Sequence, residues 1–228
     1  TSLDPQDADI VAISLSASEG VSFVIDCRMD SNALDLFSME GAKSLHPLLE
    51  QLVPLFEDDT ISKILHNAKY EYQVLHYYGV VLRGIYFDTM IAAHIIDSRQ
   101  TIGLKALVSK YFDYEMTTFE SLMDGYDSIL DVPIGEIAHY VADDSSMTYF
   151  LFRLFEKDIV DDLRSLFFEL EIPLISVLSQ MELSGVTCDI HYMNELSKSY
   201  TFELKQLETS FVNEMQLSLG EEFKSDNL

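Results

Sequence analysis

Apolar and polar positions alternate along residues 9–16, where Val11, Ile13 and Leu15 share one side, and the alternation resumes over residues 21–27 after Glu19-Gly20. Period-two patterning on either side of a glycine turn predicts a β-hairpin. A helical region opens at Ser38 and buries Leu45, Leu48, Leu49, Leu52, Val53 and Leu55 before the acidic residues 57–59 end it. Residues 61–65 are a short apolar run, read as a buried strand, and they deliver His66-Asn67-Ala68-Lys69-Tyr70-Glu71 to the start of a helix ending near Gly79. A second short strand over 85–87 precedes helices over 88–97, 104–112 and 117–123. Pro133 then starts a long helix whose middle is His139-Tyr140-Val141-Ala142-Asp143-Asp144-Ser145-Ser146-Met147-Thr148. Beyond it the pattern predicts a helix over 163–183 kinked at Pro173, a stop at Gly185, and a last helix over 191–219. That last helix carries Met193, Leu196, Tyr200, Leu204, Leu207, Phe211 and Met215 on a narrow stripe of coiled-coil character.

Strands alternating with helices, then helices alone, indicate an α/β domain over 1–162 followed by a helical segment over 163–228. The junction at residues 66–71 lies at the carboxyl end of a strand, where α/β folds tend to place their chemistry. At 228 residues and 48% hydrophobic content the chain is long enough for one well-buried domain with an appendage.

The formal charge of −25 sets a constraint, since a stand-alone nucleic-acid binder normally shows a basic footprint and this field repels phosphates. Any DNA-related role then rests on bound cations, a small basic patch or another domain. Cys27 and Cys188 form no ligand or redox motif, so two buried thiols in a reducing compartment are expected. The most apolar stretch, over 163–181, is interrupted by Arg164, Glu169 and Glu171, and no signal segment opens the chain; a cytoplasmic, non-membrane protein is expected.

On the long helix Tyr140, Asp144, Met147, Leu151 and Phe155 fall at helical spacing, so the stripe that should bury itself carries a carboxylate. A carboxylate withdrawn from water needs a cation or several donors. Glu71, beside the apolar stripe of Val74, Leu75 and Tyr78, is the best second acid, with Asn67 one turn before it. Two hard oxygen ligands suit Mg²⁺ or Mn²⁺, and Tyr140 could aim its hydroxyl at a water there. Taken alone, a Tyr-x-x-x-Asp pair is more often a core tyrosine with a surface acid. Asp143 reads as a solvated neighbour. Asp124, Asp127 and Asp131 surround Gly125 without the closing acid of a calcium loop, and the six histidines form no metal-binding pair.

At these residues the chain resembles the 3′–5′ exonuclease domain of the family A (bacterial DNA polymerase I-type) polymerases. Asn67-Ala68-Lys69-Tyr70-Glu71 is similar to the second exonuclease motif, Asn-x-Lys-Tyr-Asp, and Tyr140-Val141-Ala142-Asp143-Asp144 to the third, Tyr-x-x-x-Asp. The stretch Tyr78-Gly79-Val80-Val81-Leu82-Arg83-Gly84-Ile85-Tyr86-Phe87-Asp88-Thr89-Met90 and Thr118-Phe119-Glu120 also resemble it. Glu171-Ile172-Pro173-Leu174, Val177-Leu178, Met181-Glu182 and Gly185-Val186 look like the start of the polymerase region, and Gly220-Glu221-Glu222-Phe223 like the end of its first long helix. Ribonuclease D-like and helicase-linked exonucleases share the three motifs but not the part after Glu171.

The resemblance implies a ribonuclease H-like fold, a mixed sheet flanked by helices, with two Mg²⁺ or Mn²⁺ ions hydrolysing the 3′-terminal nucleotide of single-stranded DNA. It implies Asp144 and Glu71 as metal ligands, Tyr140 as the residue orienting the water, and Leu3, Asn67, Tyr70 and Phe119 as substrate contacts. Two departures matter. The first motif, Asp-x-Glu-Thr on the first strand, is expected before Thr1, and position 71 is Glu where the family has Asp. A monomeric fragment, inactive by itself, is therefore expected. The alternative is a degenerate exonuclease domain kept as a platform for the polymerase.

Overall fold

The computed structural model describes residues 2–28, 43 and 45–219. These form two compact units, 1–183 and 184–228. The helical start expected at Ser38 and the motif expected at 220–223 lie outside the described residues.

In the first unit β1 (Ala12–Ser18) and β2 (Val21–Asp26) pair antiparallel, with Ile13 opposite Ile25 and Leu15 opposite Phe23. Gly20 turns the hairpin at φ 73°, a left-handed conformation glycine adopts without a Cβ penalty. Two short helices follow, α1 (Pro47–Glu50) and α2 (Val53–Glu57), where the apolar pattern suggested one. A proline sits in the first turn of each, at Pro47 and Pro54; lacking an N–H, proline is tolerated there and restarts the helix.

Next, β3 (Lys63–Leu65) leads into α3 (Ala68–Tyr77), and β4 (Ile85–Asp88) into α4 (Thr89–Ile96). The strands β3 and β4 run parallel, as a strand–helix–strand crossover requires. Then come α5 (Leu104–Phe112), α6 (Phe119–Leu122) and the long α7 (Ile134–Phe155). The elements are those of an α/β fold. The described strands, however, make two separate two-stranded sheets in place of one mixed sheet.

The main core gathers Phe87 of β4, Ala92 and Ala93 of α4, Leu107 and Val108 of α5, and Leu151, Phe152 and Phe155 of α7, together with Phe167. Phe87 is central: its ring centroid lies 4.6 Å from that of Phe167 and 5.0 Å from that of Phe152, the latter edge-to-face. Each such buried side chain contributes about 2–3 kcal/mol.

The helix predicted over 163–183 is built in three parts: α8 (Asp161–Ser165), a π turn (Leu166–Glu171) and α9 (Ile172–Ser184). Ile172 donates its N–H to Phe167 O, five residues back. The register slips immediately before Pro173, which has no N–H to give, so the expected kink is realised as a π turn. Gly185 stops α9 at φ 63°.

The second unit consists chiefly of α10 (Ile190–Leu219). Its stripe of Met193, Tyr200, Leu204, Leu207 and Phe211 is exposed. No helix among the described residues is long and apolar enough to cross a membrane.

Candidate active site

Asp144 is held by the way α7 is fastened to the hairpin. Ser14 Oγ donates to Val141 O, and Ser22 Oγ lies 2.8 Å from Ser146 Oγ, 3.0 Å from Ser145 Oγ and 3.2 Å from Ala142 O. These bonds bracket position 144 and fix its rotation about the helix axis. Apolar contact joins the same two elements nearby, where Val11 and Ala12 pack in one cluster with Ile137 and Val141.

Glu71 is positioned by a different device. The β3–α3 junction turns through Asn67 in the left-handed region at φ 69°, a conformation that costs a non-glycine residue about 1 kcal/mol or more. The buried carboxylate of Asp88 compensates, accepting the backbone N–H of Ala68 at 2.6 Å and of Asn67 at 3.3 Å while capping α4 through Met90 N and Ile91 N. One acid therefore clamps the ends of two adjacent parallel strands. His66 Nδ1, 2.8 Å from Thr89 Oγ1, joins the same two junctions, and burial lowers the His66 pKa. On its outer face α3 is tied to α9, with Lys69 Nζ 2.6 Å from Glu182 Oε1 and Gln73 Nε2 2.6 Å from Glu182 Oε2.

Both acids line one cavity of about 1020 Å³, together with Tyr70, Phe119 and Tyr140. Leu3 and Asn67 are not among its walls. Leu3 is fully exposed and Phe119 partly so, while Tyr70 is tied through its hydroxyl to Ser2 O, beside Leu3. Glu71 Oε2 and Asp144 Oδ1 are buried without a hydrogen-bond partner. Burial pushes the Glu71 carboxyl up to about 8 and the Asp144 carboxyl up to about 6; Lys105 opposes the second shift. Native interiors rarely leave such oxygens unmatched, and a cation is one way of matching them. Among the described residues no three His, Cys, Asp or Glu side chains cluster as a metal site, so the two acids fit as part of a ligand set.

Tyr140 sits one turn before Asp144, and its phenol is pushed up to about 12, chiefly by burial and then by the Asp144 and Glu120 carboxylates. Lys105 Nζ lies 3.2 Å from its hydroxyl. Asp143 is not the solvated neighbour the sequence suggested: Tyr114 donates its hydroxyl to it at 2.9 Å and His139 lies 3.8 Å away. Sequence reasoning also missed Asp88, Lys105 and the serine ties. Asp88 alone left a signal, as an acid at the N-cap position between an apolar strand and a helix.

The same cavity is lined by every residue over 8–17 and 61–66. Side chains alternate between the faces of a strand, so consecutive lining residues mean that β1 and β3 face the cavity edge-on. Each pairs with one strand only, leaving its other edge without a strand among the described residues.

A family model for 3′–5′ exonucleases matches residues 1–160. DNA polymerase I of Chloroflexus aurantiacus is 31% identical over 216 residues, which is 91% of this chain and 22% of that protein. DNA polymerase I of Borreliella burgdorferi is 28% identical, covering 100% of this chain and 26% of its own length. The chain thus spans about a quarter or less of these relatives. The POL domain of Pol1 from M. smegmatis, in complex with DNA primer-template and dNTP, superposes with a TM-score of 0.64 at 22% identity, covering 96% of this chain and 32% of that one.

Proposed function

The chain belongs to the 3′–5′ exonuclease family of bacterial family A DNA polymerases, and we propose that its first 162 residues are a proofreading domain that hydrolyses the 3′-terminal nucleotide of DNA. The observation that carries this reading is the pair of acids, Glu71 and Asp144, each with a buried oxygen lacking a partner on the wall of one cavity that Tyr140 also lines. Residues 163–228 are then the helical start of the polymerase region.

Asp144 and Glu71 would each ligand a divalent ion, Mg²⁺ or Mn²⁺, the hard cations that carboxylate oxygens favour. Bound there, the ions would generate hydroxide from water at neutral pH and neutralise charge on the leaving oxygen. Tyr140 orients the attacking water from one turn before Asp144. Phe119 offers an exposed ring on which a terminal base stacks, Leu3 a wedge against it, and Tyr70 and Asn67 border the same end of α3.

The fold reading is ribonuclease H-like, with one further strand between β1 and β3 completing a mixed sheet. The edges of β1 and β3 that carry no strand among the described residues, and the cavity both line, support this. A strand carrying Asp-x-Glu-Thr in that slot would bring two more carboxylates beside Asp144. Glu71, longer by one methylene than the usual Asp, alters the reach of its carboxylate.

The test uses the polymerase that carries this domain, given a 3′-labelled single strand with Mg²⁺ or Mn²⁺. Nucleotide release should fall at least ~100-fold in Asp144→Ala, the scale at which losing one electrostatic stabiliser is felt. Equally slow release by wild type and variant sinks the catalytic reading and leaves a structural platform.

A further inference from the structure

Lys105 has no role in the reading so far, yet it is built into the wall behind Tyr140. It extends from α5, half-buried, with Nζ 3.2 Å from the Tyr140 hydroxyl, 4.3 Å from the centroid of the same ring, and 2.5 Å from Thr117 O. An ammonium has three protons and no lone pair, so every hydrogen bond it makes is a donated one. Donation to Thr117 O anchors it to the segment leading to Phe119, and donation to the phenol oxygen occupies one of that atom's lone pairs. Burial lowers the Lys105 pKa from its ordinary value, and the Asp144 and Glu120 carboxylates oppose that shift.

A phenol that already accepts from a cation presents its own O–H proton outward. Its torsion is no longer free, because rotation of the proton toward Lys105 would set it against the ammonium. From this arrangement we infer that Lys105 is a positioning residue for the exonuclease reaction, acting through Tyr140. It fixes the phenol as a hydrogen-bond donor toward the water or phosphate oxygen at the reacting centre. The contact also pins the ring itself, by cation–π attraction. Because Thr117 shares the ammonium, the same side chain couples the Tyr140 hydroxyl to the turn that starts α6 and carries Phe119.

The inference rests on the exonuclease reading, and the experiment separates the two. In the polymerase carrying this domain, single-strand hydrolysis is measured for wild type, Lys105→Met, Lys105→Arg, Tyr140→Phe, the Lys105→Met/Tyr140→Phe double variant and Asp144→Ala. Oligonucleotide affinity is measured separately in EDTA. If Lys105 acts through the hydroxyl, Lys105→Met lowers kcat about 10- to 100-fold, the scale of a mispositioned reacting group, and changes KM and the EDTA affinity less than about twofold. Lys105→Arg then restores most of kcat, and Lys105→Met adds nothing once the hydroxyl is gone in Tyr140→Phe.

Unchanged kcat in Lys105→Met, with Asp144→Ala inactive, overturns the role of Lys105 and leaves the exonuclease reading standing. An equal loss in the presence and absence of the Tyr140 hydroxyl also overturns it, as does a loss seen mainly in the EDTA affinity. An Asp144→Ala variant as active as wild type removes the exonuclease reading on which the inference stands. Thermal melting of each variant identifies loss through unfolding, and Lys105→Arg retains the cation where Lys105→Met destabilises.

Discussion

The residues that make this site are of two kinds, and only one kind is visible in a sequence. Tyr140 and Asp144, or Asn67 and Glu71, are local spacings, one helical turn apart, and local spacing survives in a one-dimensional string. Lys105, and the bonds Asp88 makes beyond its local cap on α4, are not of that kind. Asp88 reaches back to Asn67 and Ala68, 21 and 20 residues earlier, and Lys105 meets Tyr140 35 residues later, so their roles exist only once the chain has folded. The cysteines show the same limit, since the sequence suggested two buried thiols. Cys27 is 3% exposed and burial pushes its thiol up to about 11, whereas Cys188 is exposed. The thiolate is the reactive species, and at pH 8 a thiol of pKa about 11 is almost wholly protonated as well as covered. A thiol-specific chromogenic reagent at that pH should therefore modify one cysteine quickly and the second only on unfolding; two fast equivalents would contradict the burial of Cys27.

Elements were legible where a local stop coincided with the end of an apolar pattern. The helix over 104–112 is found with the bounds the periodicity implies, and the strands of the hairpin differ by a few residues at their ends. The π turn before Pro173 was not legible, because a register slip from four to five residues leaves the apolar stripe nearly unchanged. Nor was the reason for Gly84. That residue sits between the long loop after α3 and β4, with φ +67°, and a Cβ there would lie 2.6 Å from Ile61 O and 3.2 Å from Asp58 O. Its own carbonyl accepts from Lys63 N at 2.8 Å, so the glycine seats β3 against β4 and hence both junctions that Asp88 clamps. Gly84→Ala should cost more than the ~1 kcal/mol of the left-handed conformation alone, because the obstructing atoms are backbone. Gly135, in the first turn of α7 with nothing within 4 Å, gives the opposite sign: Gly135→Ala should stabilise by about 0.5–1 kcal/mol. Urea unfolding of the two variants checks this, and a loss of only ~1 kcal/mol in Gly84→Ala would show that the 58–61 segment yields to the new methyl.

For the whole molecule the governing quantity is the formal charge of −25, carried by 39 acidic and 14 basic residues. Several of the cations are engaged inside the chain: Lys69 with Glu182, Arg28 with Asp26, Lys43 with Asp9, and Lys105 with Tyr140 and Thr117 O. The net negative field opposes phosphates, although the relatives are DNA polymerases by name. The two facts are compatible if the electrostatic footprint for DNA lies in the remaining three quarters or so of such proteins, with this region presenting a local site to an end already delivered. The isolated chain should then bind a single-stranded oligonucleotide more weakly than the ~1–100 µM typical of non-specific binding, even at about 50 mM salt. The whole polymerase should bind tightly, with affinity falling steeply as salt rises. Self-repulsion adds a second signature, because screening shortens its range from about 30 Å at 0.01 M salt to about 3 Å at 1 M. The urea midpoint of the isolated chain should accordingly rise with NaCl concentration, the reverse of a fold held by surface ion pairs. Fluorescence anisotropy and urea titration over the same salt series read both effects. Sub-micromolar oligonucleotide binding by the chain alone would locate a DNA footprint on this region and remove the division of labour.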